Sequence, residues 1–139
     1  MKVVNVYKVN EGLEIHQDTR GVIADVFYGA SLNHVAIIRS EPLAIRGNHY
    51  HAVSTQHMLI TKGSLEYWYR DNDAEGPGLV YVALVGDLVT SPPNEIHALR
   101  IGEFGCEFLA FTSGVRGGSD YESDTFRVES IIGPKQSSL

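Results

Sequence analysis

Arg46-Gly47-Asn48-His49-Tyr50-His51, with Gln56 and Gly63 after it, is the stretch on which the fold turns. His49 and His51 are two residues apart, so on a β-strand both imidazoles point to the same face. Gln56 lies five residues beyond His51 and can bring a third polar head there from the next strand. A fourth candidate, His97, closes the distant segment Pro92-Pro93-Asn94-Glu95-Ile96-His97. Two histidines on one strand and a remote third are what a small β-barrel needs to build a site in its interior. Such a site holds a metal ion or moves a proton, and the sequence leaves both uses open.

The surrounding chain has no sustained helical period. Short β-prone runs are separated by Gly, Pro, Asn and Asp, the pattern of an antiparallel all-β protein. Strands are expected at 21–28, 34–39, 56–62, 65–69, 79–84, 88–90, 95–101 and 107–112. Gly63 is expected to punctuate a hairpin between its flanking strands. Asp71-Asn72-Asp73-Ala74-Glu75-Gly76-Pro77-Gly78 reads as a turn-rich loop. About eight short strands suit a double-sheet jelly roll or small barrel, which hides most of its edges. The expected layout is one domain over 1–139, with a barrel core of about 20–113 and a C-terminal tail of 114–139. Within the tail, Val115-Arg116-Gly117-Gly118-Ser119-Asp120 reads as a solvated exit and 133–139 as a frayed end.

A chain of 139 residues is long enough for a real core, and 43% hydrophobic with 20% charged residues is an ordinary globular composition. The net charge of −6 argues against a nucleic-acid partner, since phosphate backbones recruit a surplus of Lys and Arg. The single cysteine, Cys106, excludes an intrachain disulfide and reads as a buried structural thiol. Met1-Lys2-Val3-Val4-Asn5-Val6-Tyr7-Lys8 is broken by polar residues, so neither a signal peptide nor a membrane span is expected. A cytoplasmic protein with a small-molecule substrate and no membrane partner follows as the expectation. Strands near the N-terminus would suit a homodimer formed by sheet extension.

The two clusters combine into one pattern: His49-x-His51, four residues, Gln56, six residues, Gly63, then Gly86, five residues, Pro92-x-Asn94, two residues, His97. With 22 residues between Gly63 and Gly86, this resembles the paired motifs of the cupin superfamily over roughly 46–101. Gln56 stands where that family often has Glu, and Asn94 where it often has Gly. The resemblance implies a double-stranded β-helix, the cupin jelly-roll barrel.

A lone histidine in a strand is more often a hydrogen-bonded core or surface residue than a ligand. That suffices for His16, His34 and His57, and His57 should face away from its neighbour Gln56. For His49, His51 and His97 it does not suffice, because three polar heads would then sit inside an apolar barrel without a role. Neutral imidazoles can bind one divalent ion, Zn, Fe, Ni or Mn, with the Gln56 carbonyl oxygen as a fourth ligand. No organic cofactor is expected. The rival use is general acid–base catalysis, since a free imidazole titrates near neutrality. The two uses conflict at one residue, because a ring nitrogen bound to metal cannot accept a proton. If His49 is a ligand, the base is Tyr28, Tyr50, Tyr121 or a metal-bound water.

Within the cupins, Arg46-Gly47-Asn48-His49-Tyr50-His51 and Asp18-Thr19-Arg20-Gly21 resemble segments of sugar-nucleotide epimerases and ketoisomerases. Tyr121-Glu122-Ser123-Asp124-Thr125-Phe126-Arg127 is similar to the close of the dTDP-4-keto-6-deoxyglucose 3,4-ketoisomerases. The first segment also resembles the zinc-binding cupin part of capsular-polysaccharide reductase–epimerases, where the Gln56 position is Glu. What this implies is an isomerase or epimerase moving a proton beside the ketone of a nucleotide-linked keto-deoxysugar. His49 would be the base, with His51 or Tyr50 as second proton carrier. Arg46 and Arg20 would meet phosphate or enolate, and Tyr28 and Tyr121 would line the substrate. Two alternatives stand beside it. One is a metal-dependent cupin, a dioxygenase or isomerase of a small metabolite, using His49, His51, Gln56 and His97. The other is a non-enzymatic binding module.

Overall fold

The computed structural model describes residues 1–114 and 122–136. Its strands, in chain order, are β1 (Lys2–Asn5), β2 (Ile15–Asp18), β3 (Gly21–Ala24), β4 (His34–Ser40), β5 (Ile45–Tyr50), β6 (Thr55–Asp71), β7 (Leu79–Ala83), β8 (Asp87–Ser91), β9 (Glu95–Ser113) and β10 (Phe126–Arg127). One antiparallel sheet runs β1-β8-β6-β9-β5-β10, with β4 added to β9 and β7 to β6, while β2 and β3 form a separate hairpin. The expected all-β jelly-roll barrel is borne out.

β6 and β9 are the spine. They pair from Thr55↔Ser113 to Asp71↔Glu95 and shift register between Ile60 and Lys62 and between Gly63 and Leu65. On one side of that bend they carry β8 and β4, and on the other β7 and β5. The two halves are the facing walls of the barrel. Gly63 was expected to turn a hairpin, and the segments 95–101 and 107–112 to be separate strands. Both pairs are instead single long strands that bend together. The physical reason is Gly63 itself: its φ of 72° is left-handed, and a Cβ there would overlap the carbonyl oxygen of Gly105. Only glycine lets the two chains bulge at one level.

Alternation then decides the interior. Leu65, Tyr67, Leu99 and Ile101 from one wall meet Met58, Ile60, Val89 and Phe108 from the other, all buried in one core. Each such large side chain contributes on the order of 2 kcal/mol by leaving water. The opposite face of the first wall carries Trp68, Ile96 and Ala98, which Ile131 covers. Buried Glu66 lies on that outer face too, 3.0 Å from the Arg100 guanidinium and 3.0 Å from the Trp68 indole N–H. It also accepts the Gln136 backbone N–H at 2.5 Å, and Arg100 donates to the Gly133 carbonyl. Residues 133–136 are therefore fastened to the barrel rather than frayed, and 137–139 lie outside the described residues. The expected solvated exit at 115–120 lies outside them as well.

Other departures are local. The expected strand carrying His49 and His51 is β5, which ends at Tyr50, one residue short of His51. Of the expected 21–28 strand only 21–24 forms, as β3 in a hairpin with β2, after which Phe27 packs edge-on against His57 and Phe111. Cys106 is buried, and burial followed by the nearby Glu107 charge pushes its thiol up to about 11, which suits the expected structural role. Among the described residues no helix is long and apolar enough to cross a membrane.

Candidate functional site

His49 and His97 face each other in register across β5 and β9. The register shifts between Gly47 and His49, where Gly47 (φ 84°) and Asn48 (φ 58°) are both left-handed. A Cβ on Gly47 would come 2.7 Å from the His97 carbonyl oxygen, so the glycine lets β5 close onto β9. Asn48 is a side chain that tolerates this conformation. It also fastens the C-terminal segment: its carbonyl accepts Val128 N–H at 2.9 Å and its Oδ1 accepts Ile131 N–H at 3.0 Å.

His51 lies one residue past the end of β5 and is buried. Its Nδ1–H donates to the Asp124 carbonyl at 2.8 Å, which fixes the tautomer because a carbonyl only accepts. The Asp124 carboxylate, also buried, accepts the backbone N–H groups of Ala52, Val53 and Ser54 at 2.9, 3.1 and 3.0 Å and the Ser54 hydroxyl at 2.8 Å. Burial pushes that carboxyl up, but the Ser54, Val53 and Ala52 hydrogen bonds outweigh it and hold it below the usual range. β10 adds Phe126↔Tyr50 and Arg127↔His49. The C-terminal segment thus holds the strand end on which both histidines sit.

The three rings converge. Centroids are 4.9 Å apart for His49–His51, 4.8 Å for His49–His97 and 5.4 Å for His51–His97. One ring nitrogen from each lies within 4.8 Å of the others. His97 is buried, and burial, then the His49 and His51 charges, pushes it down to about 3, so it is neutral at neutral pH. Its Nδ1 lies 3.4 Å from the Glu95 carbonyl, and its ring is nearly parallel to that of Tyr67. His49 and His97 form one wall of a cavity of about 310 Å³ that Arg46, Gln56, Ser91 and Met58 also line. Arg46 is steadied by its Nε–H, which donates to Ser40 Oγ at 2.7 Å.

His49, His51 and His97 therefore meet, and His49 and His97 share a cavity with Gln56 and Arg46, whereas buried His51 does not line it. They meet by a different route than simple alternation along a strand: a bulge before His49 and a capped turn after His51. Tyr50 does not join them. It stacks on Phe126 at 5.1 Å and packs with the outer cluster around Trp68. Tyr28 is 91% exposed and lines a separate cavity of about 330 Å³ with Phe27 and His57, on the outer face of the other wall. Arg20 sits in the β2–β3 turn, its side chain 88% exposed and paired with Asp18 at 2.6 Å. Tyr121 lies outside the described residues. His57 faces away from Gln56, as expected, with its Nδ1 2.8 Å from Thr90 Oγ1.

Sequence reasoning gave no weight to Asp124 beyond its place in a motif. The available signal was an Asp beside small polar residues, able to accept several backbone N–H groups. Ser91 carries no sequence signal, because only strand register brings it to the cavity, and buried Tyr67 touches it from the core side.

Neither protein-family models nor curated proteins match this chain. Solved structures do. The chain is similar to a 3,4-ketoisomerase from Helicobacter canadensis, at 17% identity and TM-score 0.72, over 91% of this chain and 90% of that one. It is similar to the dTDP-6-deoxy-D-glucose-3,5-epimerase RmlC from Legionella pneumophila, in complex with dTDP-4-keto-L-rhamnose, at 14% identity and TM-score 0.67, over 91% and 77%. It is also similar to the capsular polysaccharide assembling protein CapF from Staphylococcus aureus, at 17% identity and TM-score 0.61, over 87% of this chain and only 34% of that one. At these identities the likeness establishes a shared fold.

Proposed function

We propose that this chain is a sugar-modifying isomerase or epimerase that moves a proton beside the ketone of a nucleotide-linked keto-deoxysugar. The observation that carries this reading is the cavity that His49, His97 and Arg46 line together, with the His51 ring packed against both histidines. The barrel's likeness to a ketoisomerase and to an epimerase with a bound dTDP-keto-sugar gives it chemical direction.

His49, half-buried at the cavity, takes the proton from the carbon next to the ketone. The C–H electron pair moves to form the enolate, and the charge on its oxygen meets the Arg46 guanidinium. A preorganised donor of this kind is worth about 3 kcal/mol of barrier. His49 then returns that proton at a different carbon or face, while His51, with its Nδ1–H on the Asp124 carbonyl, packs against it and fixes its position. His97, buried and held neutral, takes no proton near neutral pH and lines the cavity beside His49 as an uncharged imidazole. Tyr50 has no part in these steps.

The test is incubation with dTDP-4-keto-6-deoxyglucose in deuterated water. Deuterium at C3 or C5, abolished in His49→Ala, is the expected result. A sugar recovered with no deuterium at either carbon rejects the proposal.

A second reading is a metal-dependent enzyme, favoured by one specific observation. His51 and His97 both turn Nδ1 towards a backbone carbonyl, the outer contact that metal-binding histidines usually make. The three converging imidazoles would hold a divalent ion such as Zn, Fe or Ni, with Gln56 on the same cavity as the candidate fourth ligand. A bound ion would supply Lewis-acid polarisation of a substrate oxygen. Elemental analysis of protein purified without added metal tests it. Stoichiometric metal, lost in His51→Ala and His97→Ala, supports this reading, and metal-free active protein rejects it.

A further inference from the structure

The wall opposite the histidines carries a polar row. On β6, Gln56 stands in register with Ser91 of β8 on one side and Thr112 of β9 on the other. His34 of β4 extends the row, opposite Thr112. The next inward level, Met58 with Val89 and Ala110, is apolar. Gln56 and Ser91 line the same cavity as His49 and His97. Thr112 Oγ1 and His34 Nδ1 are buried with no hydrogen-bond partner among the described residues. Thr112 and His34 do not line that cavity, so the part of the row open to a bound molecule is Gln56 and Ser91.

The direction of the Ser91 hydrogen bond is fixed from behind. Buried Glu95 accepts the Met1 amino group at 2.5 Å and the Tyr67 hydroxyl at 3.2 Å. Tyr67 is buried, and burial keeps its phenol protonated. A phenol has one hydrogen, and Tyr67 gives it to Glu95. In its contact with Ser91 Oγ the Tyr67 oxygen must therefore accept, and Ser91 must donate. Ser91 then has only lone pairs left to offer the cavity. It matches a donor such as a hydroxyl and mismatches an acceptor such as a carbonyl or a phosphate oxygen.

We propose that Ser91, oriented by Tyr67 and Glu95, is a specificity-determining residue that accepts a hydrogen bond from a hydroxyl of the bound sugar, with Gln56 beside it meeting a second hydroxyl. This deepens the sugar-nucleotide reading and rests on it. Neither residue takes part in proton transfer; they sort sugars by which ring positions carry a hydroxyl.

The experiment is calorimetric titration of wild-type, Ser91→Ala and Tyr67→Phe proteins with dTDP-glucose, and separately with dTDP alone. Ser91→Ala should weaken dTDP-glucose about fivefold, roughly 1 kcal/mol at 1.4 kcal/mol per decade, and leave dTDP unchanged. Tyr67→Phe should weaken dTDP-glucose in the same direction, although the Ser91 hydroxyl is still present, because its orientation is no longer set. Thermal melts of each variant confirm that folded protein is being titrated, and Ser91→Ala, a small change, keeps the test open if Tyr67→Phe does not fold. Equal loss for dTDP and dTDP-glucose, or no loss for either, overturns the role of Ser91 while leaving the sugar-nucleotide reading intact. A wild-type protein that binds neither ligand overturns that reading, and the role of Ser91 falls with it.

Discussion

Replacing Asp124 by alanine separates what its carboxylate holds from what its carbonyl holds. The carboxylate gathers three backbone N–H groups and one hydroxyl into the turn that follows His51. Ala52 and Val53 are exposed, so water replaces the lost acceptor there at little cost. Ser54 is 1% exposed, and water cannot reach its N–H or its hydroxyl to do the same. At about 1–2 kcal/mol for each buried donor deprived of a charged acceptor, Asp124→Ala should destabilise by about 3 kcal/mol. In a chain of this length that lowers the melting temperature by about 10 °C. Asp124→Asn keeps one side-chain oxygen and should cost about 1 kcal/mol. Acidity should act in the same direction. Because the folded carboxyl is held below its ordinary range, its contribution is present above about pH 4 and is lost as pH falls through the lowered value. Circular-dichroism melts of the three proteins at pH 7 measure this directly. A loss under 1 kcal/mol for Asp124→Ala would refute the idea that this carboxylate organises the turn.

Two further outcomes follow from the bend and from the buried imidazole. Gly63→Ala should cost at least about 2 kcal/mol by urea denaturation, since the added methyl meets the Gly105 backbone, whereas Gly76→Ala, equally left-handed but in open space, should cost about 1 kcal/mol; similar losses for both would mean the bend is not sterically set. His97 is depressed to about 3, so below about pH 6.5 the unfolded chain binds a proton that the native protein does not, and stability falls with falling pH at up to ~1.4 kcal/mol per unit. Between pH 6.5 and 5 that amounts to about 2 kcal/mol in metal-free protein, a slope that His97→Asn should flatten; an unchanged slope in that variant would assign the acid sensitivity elsewhere.

Much of the fold was legible because two patterns agree. Alternating apolar residues between turn formers read as strands, and the spacing of His49, His51, Gln56, Gly63, Gly86 and His97 fitted a barrel with a polar interior spot. Strand continuity was not legible. Gly63 looks the same in sequence whether it turns a hairpin or bends a strand, and only the matching bulge opposite Cys106 decides. The C-terminal segment was read as a tail because its polar residues show no partner in sequence. Its partners are Asn48, Glu66 and Arg100, each at least 30 residues away along the chain.

The sequence by itself determined which residue types could do chemistry: imidazoles at a fixed spacing, an arginine beside them, and no second cysteine. The tertiary structure alone decided which of them share a cavity. Tyr50 is next to His49 in the chain yet faces the other side of its strand, while Ser91 and Tyr67 are remote in sequence and adjacent in space. The reason is geometric. Neighbours along a strand point to opposite faces, whereas register across strands brings distant residues side by side, and that register is set by bulges and caps spread over the whole barrel.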